Sequence, residues 1–530
     1  MEVVRQSEVR KGGRIAKTIR LVGPALSLAF SVLVVAANPL TAHGAAHIPE
    51  VVGPIPVTVD SYPFAAANRS NVPQDLSQSG YVEEEYLVSG FADVYERGPG
   101  GKAVVRTPHA PYTTRMLVRR PVSPKAFSGT VVVEILNPTG MYDFDPQWEF
   151  SGDYFMEHKD IWVGFTAKPV AALALRVFDP KRYAAISWAN PVPFEKTCPD
   201  PVSALRDTTR YTENGLVWDI ASQVGALVKA SDARNPLKGF GVKRAYLTGY
   251  SQTGGFLVTY INSIRPLSSA ALADGTPVYD GYLIGDGDGL PPALNQCAAP
   301  PKAGDPFFVI QPRPEPVISV RSQSLLGWNI PARRADGDSP HDRYRSYEIP
   351  GAGHINQRIE RLRVNGADCA KAGIAFPTPK CTETTRYGLT DFPFEYFMNA
   401  AFANLDAWVR SGTLPPKTPP IDAQLLGGDS LVKKDEYDNA LGGLRSPYLD
   451  VPVARYYAKS TPGDVATGSV CGLLGYKVPF DKDVIAKLYP SHELYVSKVV
   501  QQVDELVTKK LLTPTDGEKI KKEAASAKVP

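Results

Sequence analysis

The chain has 530 residues and a formal net charge of +3. Six basic residues (Arg5, Arg10, Lys11, Arg14, Lys17, Arg20) against Glu2 and Glu8 crowd its start, so the remaining body is near neutral. That body lacks the basic footprint needed to hold a phosphate backbone, which makes nucleic acid a poor partner, and 43% apolar content excludes a disordered chain.

In chain order, the basic start leads into an uncharged apolar run over residues 21–37 that closes on Val35-Ala36-Ala37. A charged start, an apolar middle and a small-residue end predict a secretory signal peptide over 1–37, with Gly44-Ala45-Ala46 as a second cleavage point, up to residue 46. An uncleaved membrane anchor through residues 21–37 is the alternative, although 17 residues is short for a span. An exported, periplasmic or secreted protein with no later membrane span is the expectation. From about residue 129 strands and helices alternate. Strands are predicted at 130–136, 160–166, 244–248, 281–285, 317–321 and 344–349. Helices are predicted at 218–229, through Phe256, Tyr260 and Ile264, and at 394–410, where Gly412 is a C-cap. This alternation predicts an α/β fold with a mostly parallel sheet covered on both faces. The catalytic core is placed at 48–412. Residues 413–480 are rich in Pro and Gly and read as irregular chain wrapped on the core, or a linker. A C-terminal helix through Val496, Val499, Val500, Val503, Leu506 and Val507 completes an extension over 413–530 packed on the core.

Five cysteines (Cys198, Cys297, Cys369, Cys381, Cys471) lack any C-x-x-C pair, which argues against zinc knuckles and thioredoxin chemistry. Export permits disulfides, and Cys369 with Cys381, twelve residues apart in a Pro/Gly/Lys loop, is the pair expected. The odd count leaves at least one thiol free or paired between chains.

The chemistry concentrates in RAYLTGYSQTGG, residues 244–255. A strand ending in Gly249-Tyr250-Ser251-Gln252-Thr253 and passing straight into a helix is the setting of a nucleophile elbow. The elbow lifts the Ser251 hydroxyl out of the turn and brings a backbone N–H and a helix N-terminus toward a developing oxyanion. Gly249 meets the need for a small residue two before the serine, and Thr253 departs from the usual Gly two after it. The base expected is His354, on the loop after the last strand. His341 precedes that strand and so lies at the opposite edge, while His492 stays open. The acid expected is Asp286, directly after the strand at 281–285, although its DGDG stretch also reads as a polar turn. Asp336, Asp338 and Asp342 sit at the wrong edge. The oxyanion hole is assigned to the Gln252 N–H and one from the loop beginning at Asn137. Glu134, inside a strand, reads as a structural ion-pair partner. Tyr142, Phe144, Trp148 and Phe150 would pack the core or line an acyl pocket.

The stretches GTVVVEILNPTG, WDIASQ, LTGYSQTGGFLVTYINSI, YRSYEIPGAGH and NALGGLRSPYLDVPVARYY resemble the bacterial alpha/beta hydrolase domain-containing proteins over roughly residues 50–527. The resemblance implies the α/β-hydrolase fold and serine-hydrolase chemistry, with the nucleophile on Ser251 and the base on His354. Members often carry an acid shortly after the strand matching VISVR. Here that stretch is Ser322-Gln323-Ser324-Leu325, without a carboxylate. The expectation is an exported serine hydrolase acting on a carboxylic ester, small molecule or polymer, with no metal or organic cofactor. Acyl transfer or amide cleavage would use the same parts, and a catalytically impaired relative that binds a ligand is the alternative.

Overall fold

The structure, a computed structural model, describes residues 44–198, 210–375, 379–463 and 468–529. The apolar run at 21–37 lies outside them. No helix among the described residues is long and apolar enough to cross a membrane.

Ten strands form one sheet: β1 (Glu50–Val52), β2 (Tyr81–Arg97), β3 (Ala103–Pro121), β4 (Thr130–Ile135), β5 (Ile161–Phe165), β6 (Arg244–Tyr250), β7 (Gly281–Gly285), β8 (Val317–Ser322), β9 (Gly337–Ser339) and β10 (Asp342–Ile349). Their order across the sheet is β1-β2-β3-β5-β4-β6-β7-β8-β10-β9. β5, β4, β6, β7, β8 and β10 run parallel, as expected. Every residue of β4, β5, β7 and β8 is buried, because helices cover both faces and leave no polar alternation. These are α1 (Pro146–His158), α2 (Pro169–Phe178), α3 (Val217–Lys229), α4 (Gln252–Thr259, continued by a π turn over Tyr260–Ile264) and α5 (Phe394–Ser411).

The antiparallel part of the sheet was not expected. β2 and β3 pair along a hairpin of 17 and 19 residues, and β3 joins the parallel strands through β5. The run Glu83-Glu84-Glu85 lies in β2. In the hairpin these charges are consumed by Arg119, Arg120 and Arg115 of β3, at 2.6–2.7 Å.

The cysteine pairing also differs from expectation. The disulfides are Cys198–Cys297 and Cys381–Cys471, and Cys369 is a buried free thiol. Cys369 points into the main core beside Val364 and Ile374. Cys381 heads the short helix Thr382–Tyr387, with its Cα 5.5 Å from that of Cys471. Proximity along the chain is therefore overridden by the face each residue presents.

After α5 come two small antiparallel ribbons, β11 (Ala423–Leu426) with β12 (Asp429–Val432) and β13 (Ala454–Tyr457) with β14 (Tyr476–Pro479). α6 (His492–Thr508) and α7 (Pro514–Ser526) follow. α6 buries Tyr495, Val499, Val503 and Leu506, and with α7 it shares a hydrophobic cluster with α1 and α5.

Candidate active site

β6 ends at Tyr250 and α4 begins at Gln252, so Ser251 alone makes the turn. Its backbone is at φ 58°, ψ −121°, a left-handed conformation that L-residues adopt only where surrounding structure enforces it. The Ser251 N–H is donated to Gly285 O at 2.7 Å, tying the turn to β7. The expected need for small residues is met at close quarters. A Cβ on Gly249 would stand 2.5 Å from Thr253 O, and one on Gly254 2.7 Å from Gly285 O. Thr253 is tolerated because its hydroxyl closes the turn, accepting from Tyr250 N at 3.2 Å and donating to Tyr250 O at 3.1 Å.

His354 follows β10 on the Pro350–Gly353 loop and is buried. Its Nδ1 lies 2.6 Å from Asp286 Oδ2. Asp286, itself at φ 46° directly after β7, also accepts the Ser322 N–H at 2.9 Å, Asn329 Nδ2 at 3.1 Å and the Ser322 hydroxyl. The end of β8, where an acid is expected from the resemblance, supplies hydrogen-bond donors to a carboxylate delivered from β7. The Tyr250 ring stacks on the imidazole, centroids 4.7 Å apart, and its hydroxyl donates to His354 O at 2.6 Å. The residue before Ser251 thus seats His354. Ser251, His354 and Asp286 stand at the same edge of the sheet. Ser251 is half-buried, and its hydroxyl makes no hydrogen bond to His354 among the described residues.

The other titratable groups weighed from sequence lie elsewhere. His341 is exposed before β10, and His492 is engaged with Val529 O and Ala525 O. Asp288 binds Ser319 and Arg321. Asp336 and Asp338 pair with Arg345, and Asp342 with Arg334.

Gln252 opens α4, and its N–H has no backbone acceptor among the described residues. The Ser251 side chain does not cap the helix, so the positive end of α4 stays open beside Ser251. Asn137 does not fill the role expected of it. Its N–H is given to Phe144 O at 2.7 Å, and its Nδ2 to Tyr250 O at 2.7 Å, so it braces the elbow instead. The loop it begins is held to β3 by two ion pairs, Asp143 with Arg115 at 3.2 Å and Asp145 with Arg119 at 2.5 Å.

Glu134 makes no ion pair among the described residues. It accepts the N–H groups of Gln147 (2.9 Å) and Trp148 (3.2 Å) and the indole N–H of Trp162 (2.8 Å), clamping the start of α1. Burial pushes its carboxyl up to about 8. Tyr142, Trp148 and Phe150 are core residues, and Phe150 packs on Tyr250 with centroids 5.1 Å apart.

Sequence reasoning missed Tyr250, Ser322 and Asn329. The signal for Ser322 was present, since a hydroxyl at the end of β8 stood where an acid was sought.

The sequence pattern of the alpha/beta hydrolase domain family matches residues 51–522. None of the curated proteins compared with the chain matches it. Among solved structures, a lipase/esterase from Lactobacillus plantarum is 10% identical with a TM-score of 0.26, covering 44% of this chain and 86% of its own. A serine hydrolase from Xanthomonas campestris, described as lacking a lid, is 11% identical with a TM-score of 0.24, covering 54% and 97%. A dienelactone hydrolase from Anabaena variabilis ATCC 29413 is 9% identical with a TM-score of 0.23, covering 54% and 94%. Likeness this slight adds no weight of its own. On the extent of the family match, the chain belongs to the alpha/beta hydrolase domain family.

Proposed function

We propose that the chain is a serine hydrolase that cleaves a carboxylic ester through an acyl-enzyme. The observation that carries this reading is the 2.6 Å contact between His354 Nδ1 and Asp286 Oδ2 at the edge of the sheet where Ser251 makes its strained turn. Asp286 holds the imidazole in the tautomer that keeps its proton on Nδ1 and leaves Nε2 free as a base. Nε2 takes the proton of Ser251 Oγ as that oxygen attacks the ester carbon. The Gln252 N–H and the open end of α4 stabilise the oxyanion. Collapse expels the alcohol, protonated by His354, and water then releases the acid by the same steps in reverse order of roles. An amide or an alcohol acceptor would use the same groups.

The ligand-binding alternative drew on the missing carboxylate after VISVR, and Asp286 on His354 removes that ground. Export through a cleaved signal peptide is part of the proposal, supported by two disulfides, a feature of oxidising compartments. The test is a fluorophosphonate probe on the oxidised protein beside Ser251→Ala, with peptide mapping of the adduct. An adduct on Ser251, absent in the variant, is expected. A folded protein that takes no label would overturn the assignment.

A further inference from the structure

The loop carrying His354 is built against the chain that follows α5. A Cβ on Gly353 would stand 2.7 Å from the Gly475 nitrogen, so the two backbones lie in direct contact. Ile355 donates its N–H to Leu473 O at 2.9 Å, and the Thr390 N–H is donated to Gly475 O at 2.8 Å. The base is thus flanked, one residue to either side, by the backbone of 473–475.

That backbone leaves directly from Cys471, whose disulfide to Cys381 anchors it at the head of helix Thr382–Tyr387. Cys381, Cys471 and Leu474 form a small apolar cluster of their own, and Ile355 packs on it. Ile355, the residue after His354, therefore joins the imidazole-bearing segment to the disulfide's cluster. On the other side His354 is held by Asp286 through Nδ1 and by the Tyr250 hydroxyl through its carbonyl. Those two bonds fix the ring at one nitrogen and the backbone at one oxygen. With the Tyr250 ring stacked on one face of the imidazole, they leave the remaining placement of Nε2 to the 353–355 backbone.

We infer that the Cys381–Cys471 disulfide and the 473–475 backbone it anchors are positioning elements for His354, setting the reach of its Nε2 toward Ser251. The inference rests on the assignment of Ser251, His354 and Asp286 as a catalytic set. It makes the chain beyond α5 part of the catalytic machinery and not only a cover for the core.

The test compares the full chain with Cys381→Ser/Cys471→Ser and, separately, with Gly475→Ala. In Gly475→Ala the disulfide remains, and the new Cβ would stand 2.9 Å from Tyr457 O and 3.3 Å from Gly353 Cα. Three quantities are read: the rate of fluorophosphonate labelling, kcat and KM on p-nitrophenyl butyrate, and the far-downfield proton resonance of the His354 Nδ1–H shared with Asp286. Circular dichroism and elution volume verify the fold. In both variants kcat and the labelling rate are expected to fall roughly 10- to 100-fold, the scale of a misplacement of about 1 Å. KM should stay within about twofold, and the resonance should shift or broaden. Should the double serine variant fail to fold, Gly475→Ala decides alone. Folded variants that keep the parent's kcat, labelling rate and resonance overturn the inference. If the parent is neither labelled nor active, the proposed function falls instead. The resonance then decides the positioning role by itself, a shift in the variants supporting it and an unmoved signal refuting it.

Discussion

Asp286 reaches His354 from the end of β7, and Ser322 and Asn329 from the far side of the site complete its hydrogen bonds. An Asp286→Asn side chain would keep that shape but turn an N–H toward Nδ1 and favour the wrong imidazole tautomer. A fall in kcat of about 10⁴-fold with little change in KM is expected, measured by steady-state ester hydrolysis. Gly249→Ala places a methyl 2.5 Å from Thr253 O. Overpacking at a fixed backbone contact should destabilise the fold by about 1–3 kcal/mol, read by urea denaturation, and slow probe labelling of Ser251 in the folded fraction. The placement of Ser251, Asp286 and His354 at one edge of the sheet was legible because Ser251 and Asp286 directly follow strands and His354 lies on the short loop after another. Asn137 was not, because a sequence shows where a loop begins but not which of its N–H groups another carbonyl has already taken.

The antiparallel hairpin of β2 and β3 anchors the 137–145 loop through Arg115 and Arg119, both fully buried. Arg115 binds Glu85 at 2.6 Å and Asp143 at 3.2 Å. Arg115→Met would leave Asp143 buried without a cation while Glu85 keeps Arg182, and a loss of about 3–5 kcal/mol is expected, measured by the shift of the urea midpoint at constant slope. The parallel strands were readable as continuous apolar runs. The hairpin was not, because a triplet of glutamates carries the local signature of solvated chain, and only pairing with arginines 30 or more residues away reverses it. Glu134 went the same way: an acid in a buried strand suggested an ion pair, while its actual partners are backbone and indole N–H groups that no local pattern reveals.

Across the whole molecule, several carboxyls are buried without a full cation partner. Burial lifts Glu134 to about 8, Asp160 to about 7 and Asp219 to about 7. Each folded-state value stands above its unfolded one, near 4. The folded protein therefore holds more protons between pH 4 and about 8, so stability is fully present below that window and falls as pH rises through 7 to 8. Each group contributes up to about 1.4 kcal/mol per pH unit inside its window. The melting temperature should be higher at pH 5.5 than at pH 8.5, as scanning calorimetry would show. Asp219→Asn should flatten that dependence, since it removes one titration from the interior. A melting temperature that rises over this range would refute the account.

The hydrophobic cluster on one face of the sheet takes side chains from Ala67 through to Val529. Thr515 of α7 donates to Glu157 near the end of α1 at 2.6 Å. α6 and α7 leave the ribosome after α1 and α5, so this face of the sheet stays partly uncovered until residue 526 has emerged. Until then the uncovered apolar face is open to chaperones or to another apolar surface.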